Sequence, residues 1–204
     1  MLQTDSVNYT ASWTQICNRA LGRLGSEAIT HLSEGTQNAE FCNRFLPEAI
    51  EHILGQWDFK FARRRVRLAL NAERPLFGWS YQFTLPMDLI RIIEVYGGSS
   101  TMPEQSELIP FQVENGMILA NTRTIQIIYI ARPDDPNQLP QSVRKAISTH
   151  LAYLLSTPLT SNQQLTALIA AESQAAIEQA KVDDAQMNYD PNAYGEDFHV
   201  ENRR

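Results

Sequence analysis

The feature that most constrains this chain is a double change of hydrophobic period. Apolar residues recur every three or four positions from about Ser12 to Gly55, alternate with polar ones from Phe59 to Ile130, and return to helical spacing from Pro140 to about Ala185. A helical stripe has period 3.6 and a half-buried strand has period 2, so one pattern cannot serve as the other. The chain therefore reads as two helices, a run of short strands and two more helices. At the centre of this order lies 29–70, an acidic turn, a long amphipathic helix, an aromatic hinge and an arginine-studded strand.

Ser12 is the expected N-cap of the first helix, with Trp13, Ile16, Cys17, Ala20, Leu21 and Leu24 on one face and Gly25 as the left-handed terminator. Ile29 and Leu32 are expected to pin the following loop to the core. The second helix, about Asn38 to Gly55, has a wide stripe (Phe41, Cys42, Phe45, Leu46, Ala49, Ile50, Ile53, Leu54) interrupted by Pro47, which predicts one kinked helix. Trp57 and Phe59 are aromatics expected to cover the end of the helices. From Phe59 to Leu70, Phe61, Arg63, Arg65 and Arg67 alternate with Ala62, Arg64, Val66 and Leu68.

Further strands are expected at Tyr81–Leu85, Leu89–Tyr96, Leu108–Glu114, Met117–Asn121 and Thr124–Ala131. Gly97-Gly98 marks a turn and Asn115-Gly116 a hairpin. Six short strands imply a compact antiparallel sheet or small barrel. A third helix is expected from Pro140 to before Pro158, with Val143, Ala146, Ile147, His150, Leu151, Leu154 and Leu155 on one face. A fourth, capped by Ser161, is expected to reach about Ala185 with a thin, alanine-rich stripe of Leu165, Leu168, Ile169, Ala176, Ile177 and Ala180.

The predicted fold class is α+β, mostly α: a four-helix bundle of two N-terminal and two C-terminal helices, an inserted small antiparallel β module and an extended C-terminal tail. The boundaries are 1–57 and 137–186 for the helices, 58–136 for the β module and 187–204 for the tail.

With 204 residues and 43% hydrophobic content the chain has the means to build a real core. A formal net charge of −6 argues against a general nucleic-acid coat protein, which would be basic. No apolar run approaches the ~20 residues a membrane span needs, and MLQTDSVNYT does not read as a secretory signal. Cys17 and Cys42 fall at apolar helical positions and read as buried reduced thiols. With them, His31, His52, His150 and His199 show no metal-ligand spacing, and no cofactor is expected. His150 lies within an apolar stripe and reads as a hydrogen-bonded core histidine.

No catalytic motif is present. Glu48, Glu51 and Asp58 are carboxylates on or just beyond a helix and read as solvated surface rather than as a glycosidase pair. Gly22-x-x-Gly25 lacks the Lys-Ser/Thr of a phosphate loop. Arg63, Arg64, Arg65 and Arg67 are the dense positive charge of an acidic chain. They suit contact with an acidic neighbour or with DNA phosphates, or else a solvated sheet face balanced by Glu73 or the acidic loops. In the tail, Tyr189, Tyr194 and Phe198 are spaced by Pro191 and Gly195, as in a segment that orders on a partner, or else as in a plain disordered terminus, and Arg203-Arg204 adds charge there.

Four blocks taken in order carry a resemblance. They are Ile16-Cys17-Asn18-Arg19-Ala20-Leu21-Gly22-Arg23-Leu24-Gly25; Ile29-Thr30-His31-Leu32-Ser33-Glu34-Gly35 with Asn38-Ala39, the long helix and Trp57-Asp58-Phe59; Phe83-Thr84-Leu85-Pro86-Met87-Asp88-Leu89-Ile90-Arg91; and Ile127–Arg132 with Asp134, running into a Leu-Pro helix and an alanine-rich last helix. Together they span Ile16–Ala185 and resemble the head-to-tail adaptor (connector) proteins of tailed bacteriophages, of the tail tubular protein A type.

The resemblance implies a non-enzymatic virion protein, made in the host cytoplasm and placed at the head–tail junction. It implies a ring of twelve copies of this chain beneath the portal protein, joined to a tail tube or nozzle protein, with double-stranded DNA passing through without specific binding. In that setting the tail residues would meet the portal or a neighbouring subunit, and the arginines would lie at a ring interface or in the channel. A tail-associated cell-wall hydrolase and a non-viral scaffold are the alternatives from other classes.

Overall fold

The structure is a computed structural model and describes residues 11–187. Helix α1 (Trp13–Arg23) begins at Ser12, whose hydroxyl accepts from the Gln15 N–H while the Gln15 side chain accepts from the Ser12 N–H. This reciprocal box satisfies two of the donors that a helix start leaves open. At the other end Gly25 takes φ +68°, and the N–H groups of Gly25 and Ser26 return to the carbonyls of Gly22 and Leu21. That paired closure needs a left-handed residue, which glycine supplies without a Cβ clash.

The chain then turns through 26–36, fixed by Asn18. Its side-chain amide donates to the Ile29 carbonyl (2.9 Å) and accepts from the Ile29 N–H (2.8 Å), so one side chain replaces a strand partner. Ile29 is buried and Leu32 packs on the core. Glu34 closes the acidic turn on Thr30 and Thr36; the hydrogen bonds from their hydroxyls pull its carboxyl down to about 2.

Helix α2 (Gln37–Gly55) passes through Pro47 without a break. Pro47 is exposed, so the helix carbonyl that loses its partner faces water. Helix α3 (Gln141–Leu159) packs on α1, α2 and α4 (Gln163–Gln186).

Two boundary expectations and one stripe assignment are corrected. Pro158 lies inside α3, at an exposed position in its last turn, and the Thr160 N–H resumes the ladder on Ser156 (3.0 Å). The α4 cap is Asn162, not Ser161: Thr160 Oγ1 accepts from the Asn162 N–H (2.9 Å), leaving Asn162 extended, and its Oδ1 accepts from Leu165 (3.1 Å). Leu168, placed on the α4 stripe, is 58% exposed, while Ser173 is buried in its stead.

The β region forms two three-stranded antiparallel sheets rather than one sheet or a closed barrel. The strands are β1 (Arg63–Arg67), β2 (Tyr81–Thr84), β3 (Leu89–Gly97), β4 (Gln112–Glu114), β5 (Met117–Ala120) and β6 (Ile125–Ala131), in the orders β1-β6-β3 and β2-β5-β4. Residues 60–62 form a 3-10 turn, so the first strand starts at Arg63 and not at Phe59. The expected Leu108–Glu114 strand keeps its last three residues, with Leu108 making an isolated bridge to Tyr96. Asn115 (φ 48°) and Gly116 (φ 72°) make the β4–β5 turn, a pair of left-handed residues matched to strand twist.

Two apolar cores result. One lies among the helices and takes in Phe59, Ala62 and Ile130; the other lies between the sheets around Phe83, Val95, Ile118, Ile125, Ile127 and Tyr129. Strand β6 serves both, because alternate residues face opposite sides. Of the two aromatics expected to cover the end of the helices, Phe59 is fully buried in the helical core, whereas Trp57 stays 40% exposed.

Replacing Asn18 by Ala should leave the Ile29 N–H and C=O without partners and lower the free energy of unfolding by about 1–3 kcal/mol. Urea denaturation of the variant beside the unmodified chain measures this.

Candidate interaction surface

Among the described residues strand β1 pairs with β6 alone and stands at a sheet edge. Its arginines divide by face. Arg64 stands opposite Tyr129, and its Nη1 meets Asp88 Oδ2 at 2.5 Å. Tyr129 Oη donates to the same carboxylate (3.2 Å), and the Asp88 carbonyl accepts from the Arg132 N–H (2.7 Å). Burial, followed by the Asp88 charge, raises the Tyr129 hydroxyl above its ordinary value. Arg64 is thus engaged within the fold, and its counter-charge is Asp88 rather than Glu73.

Arg63, Arg65 and Arg67 occupy the other face, opposite Ile130, Ile128 and Gln126. All three are exposed. Arg67 Nη2 donates to the Ser99 carbonyl (3.0 Å). Neither Arg63 nor Arg65 makes an ion pair among the described residues. Glu94 and Tyr96 share this face on β3, with Tyr96 Oη donating to Glu94; that bond raises the Tyr96 hydroxyl, and the Arg65 charge opposes the rise.

The end of α4 is fastened to the start of β1. Asp184, 3% exposed, accepts from the Lys60 N–H at Oδ1 (3.0 Å) and from Trp57 Nε1 at Oδ2 (3.3 Å). Lys60 Nζ donates to the Asp184 carbonyl (2.8 Å). Sequence reasoning missed this clasp, although Asp184 falls four residues after Ala180 in phase with the apolar stripe, a position where a carboxylate needs partners. Tyr189, Tyr194, Phe198, Arg203 and Arg204 lie outside the described residues.

A second exposed feature is the β1–β2 connection, where Leu76 (98% exposed) and Phe77 (86%) stand between Pro75 and Gly78. These are two adjacent large apolar side chains held in water. The sequence reading passed over them because no period runs through the segment.

The carboxylates do not converge. Glu51 pairs with Arg132 (3.5 Å), Asp58 pairs with Arg91, and Glu48 is exposed. Cys17 and Cys42 are buried free thiols; the hydrogen bond to Cys42, reinforced by burial, drives the Cys17 thiol far up. Among the described residues no group of three His, Cys, Asp or Glu is placed to hold a metal, and no helix is long and apolar enough to cross a membrane.

His150 is buried as its stripe implies, with Nδ1 at 3.1 Å from Ser173 Oγ and its ring stacked on His52 at 4.1 Å. Desolvation, then the neighbouring His52, lowers His150 to about 4. No protein-family model matches this chain, and no curated protein matches it.

Removing the Asp184 carboxylate (Asp184→Ala) strands the Lys60 N–H and should cost about 1–3 kcal/mol, with faster proteolysis near the end of α4 as a second readout. His150 makes stability depend on acid. Its unfolded imidazole takes a proton near 6.5 and its folded one only near 4, so the unfolded chain binds more protons between these values. Stability should be intact above pH 6.5 and fall as the pH drops toward 4, by about 2 kcal/mol at pH 5. Urea midpoints across that window, with a His150→Asn variant showing a flatter slope, check the sign.

Proposed function

We propose that this chain is a non-enzymatic virion structural protein, the head-to-tail adaptor of a tailed bacteriophage. Twelve copies form a ring beneath the portal, surround the DNA exit channel and present a platform to the tail tube or nozzle. The helices from both ends of the chain act as one four-helix bundle, and the β module inserted between them is the arm that reaches a neighbouring subunit. The ring closes on the filled head as the segment after Met187 orders against the portal.

The observation that carries the reading is the ordered set of four sequence blocks, now seen to coincide with the joints of the fold. Asn18 of the first block holds Ile29 of the second. Asp88, in the Leu-Pro-x-Asp of the third, ties β1 to Tyr129 and Arg132 of the fourth. The module therefore rests on the helices through Phe59, Ala62 and Ile130, as a load-transmitting arm should. Charge agrees with a conduit: twelve copies at −6 carry about −72, a field that repels DNA from the walls.

Mass measurement in solution and negative-stain imaging, alone and with the cognate portal, should show a small species that becomes a ring on the portal. Deleting 188–204 should abolish portal attachment without moving the thermal unfolding midpoint. A chain that ignores the portal, or a truncated chain that decorates it normally, contradicts the reading.

A further inference from the structure

The outer edge of β1 meets no strand among the described residues. The Leu68 N–H donates to the Ile125 carbonyl across the sheet, and antiparallel pairing alternates, so Val66 and Arg64 turn their backbone groups toward β6. Arg65 and Arg67 turn theirs away from it. The Arg63 N–H already donates to the Lys60 carbonyl in the turn that leads into the strand. Arg65 and Arg67 therefore carry the backbone groups that an added strand would meet.

Side chains decide what that strand must be. Residues directly opposite share a face, so those facing Arg65 and Arg67 lie beside two guanidinium groups, with Arg63 next along the row. Neither Arg63 nor Arg65 makes an ion pair among the described residues, and Arg67 is held by the Ser99 carbonyl. Glu94 does not serve them: it stands on β3, on the far side of β6, and accepts from Tyr96. The residue between the two faces Val66, whose side chain is half-buried on the core between the sheets. The matching segment thus reads acid, apolar, acid, with period 2, and keeps the N–H of each acidic residue.

Two other occupants fit worse. A second copy pairing β1 against β1 would set arginine opposite arginine. Duplex DNA would answer the guanidinium groups but not the backbone, and would approach Glu94 on a chain that carries −6.

We propose that the β1 edge is a docking site for an acidic, extended segment of another polypeptide, which adds to the sheet as a further strand. Its backbone pairs with Arg65 and Arg67, its carboxylates meet Arg63, Arg65 and Arg67, and its apolar side chain covers Val66. Each exposed ion pair alone is weak. Backbone bonds hold the register, and the charges select the partner. The inference goes beyond the adaptor reading and does not require it.

The test titrates a labelled, end-blocked peptide, Thr-Glu-Val-Glu-Val-Glu-Thr, into the full chain, with anisotropy and residue-resolved amide exchange as readouts. Binding should saturate and slow exchange at the Arg65 and Arg67 amides while α3 amides keep their rates. A peptide of the same composition with contiguous glutamates, and one N-methylated at the glutamates, should each bind about tenfold or more weakly. The Arg65→Glu/Arg67→Glu chain should lose the peptide and accept its counterpart with Lys for every Glu; unchanged α3 protection shows that this variant is folded. No saturable binding, equal binding of the N-methylated peptide, or no rescue by the lysine peptide overturns the proposal. Arg65 and Arg67 amides already protected in the chain alone overturn it too, since the edge is then filled. A short labelled DNA duplex that displaces the peptide, and is itself lost with Arg65→Glu/Arg67→Glu, does the same.

Discussion

The fold depends on burying α3 on nearly all sides. Val143, Ala146, Ile147, Leu151, Ala152 and Leu155 are buried against three other helices, and so are Ser148, Thr149, His150 and Ser156. A helix in this position has no water to satisfy polar side chains, so each must find a partner inside. Ser148 and Thr149 bond back to the Lys145 carbonyl, Ser156 to the Tyr153 carbonyl, and His150 to Ser173 of α4. Three of the four are closed within a turn of their own helix. Only His150 reaches across, to Ser173 of α4, and its ring also stacks on His52 of α2, so protonation there bears on both contacts. Small residues on α4, Ser173, Ala176 and Ala180, give the approach its room.

From this hub the architecture follows outward. On β6, Ile130 belongs to the helical core, while Ile125, Ile127, Tyr129 and Ala131 belong to the core between the sheets. One strand therefore couples two apolar interiors, and a shift of β6 by one residue would invert both. Asp88 guards against that slip, since its carboxylate holds Arg64 on β1 and Tyr129 on β6 while its carbonyl holds Arg132. The Asp184 clasp does similar work just before β1, where helix, hinge and strand meet.

Local features were legible in the sequence, and long-range ones were not. Ser12, Gly25 and Asn115-Gly116 each act through bonds to residues within a few positions, so their types announce their roles. The alternation at 63–68 told which side chains share a face. It said nothing about which strands pair, and the division into two sheets rests on β5 and β6 each taking two partners. Arg64 illustrates the gap: adjacent to three other arginines, it looked like one of a set, yet its partner Asp88 is twenty-four residues away. The α4 stripe misled in a different way. Alanine hardly distinguishes one helix face from another, so Leu168 was assigned to the core, and two polar residues that are buried, Ser173 and Asp184, were passed over.

The placement of charge shows what kind of surface the chain presents. An acidic protein that clusters its arginines on an edge strand satisfies one of them internally and leaves Arg63 and Arg65 in solvent without an ion pair among the described residues. Surface pairs contribute little to stability, so folding alone gives no reason to concentrate positive charge there. The same holds for Leu76 and Phe77, whose exposure wastes apolar area that the core would have used. Both lie on the β region, at an open strand edge and on the adjoining loop, where a second polypeptide segment can add without disturbing the helices. The molecule is thus a helical hub joined to a sheet module that keeps positive charge and apolar area on its surface.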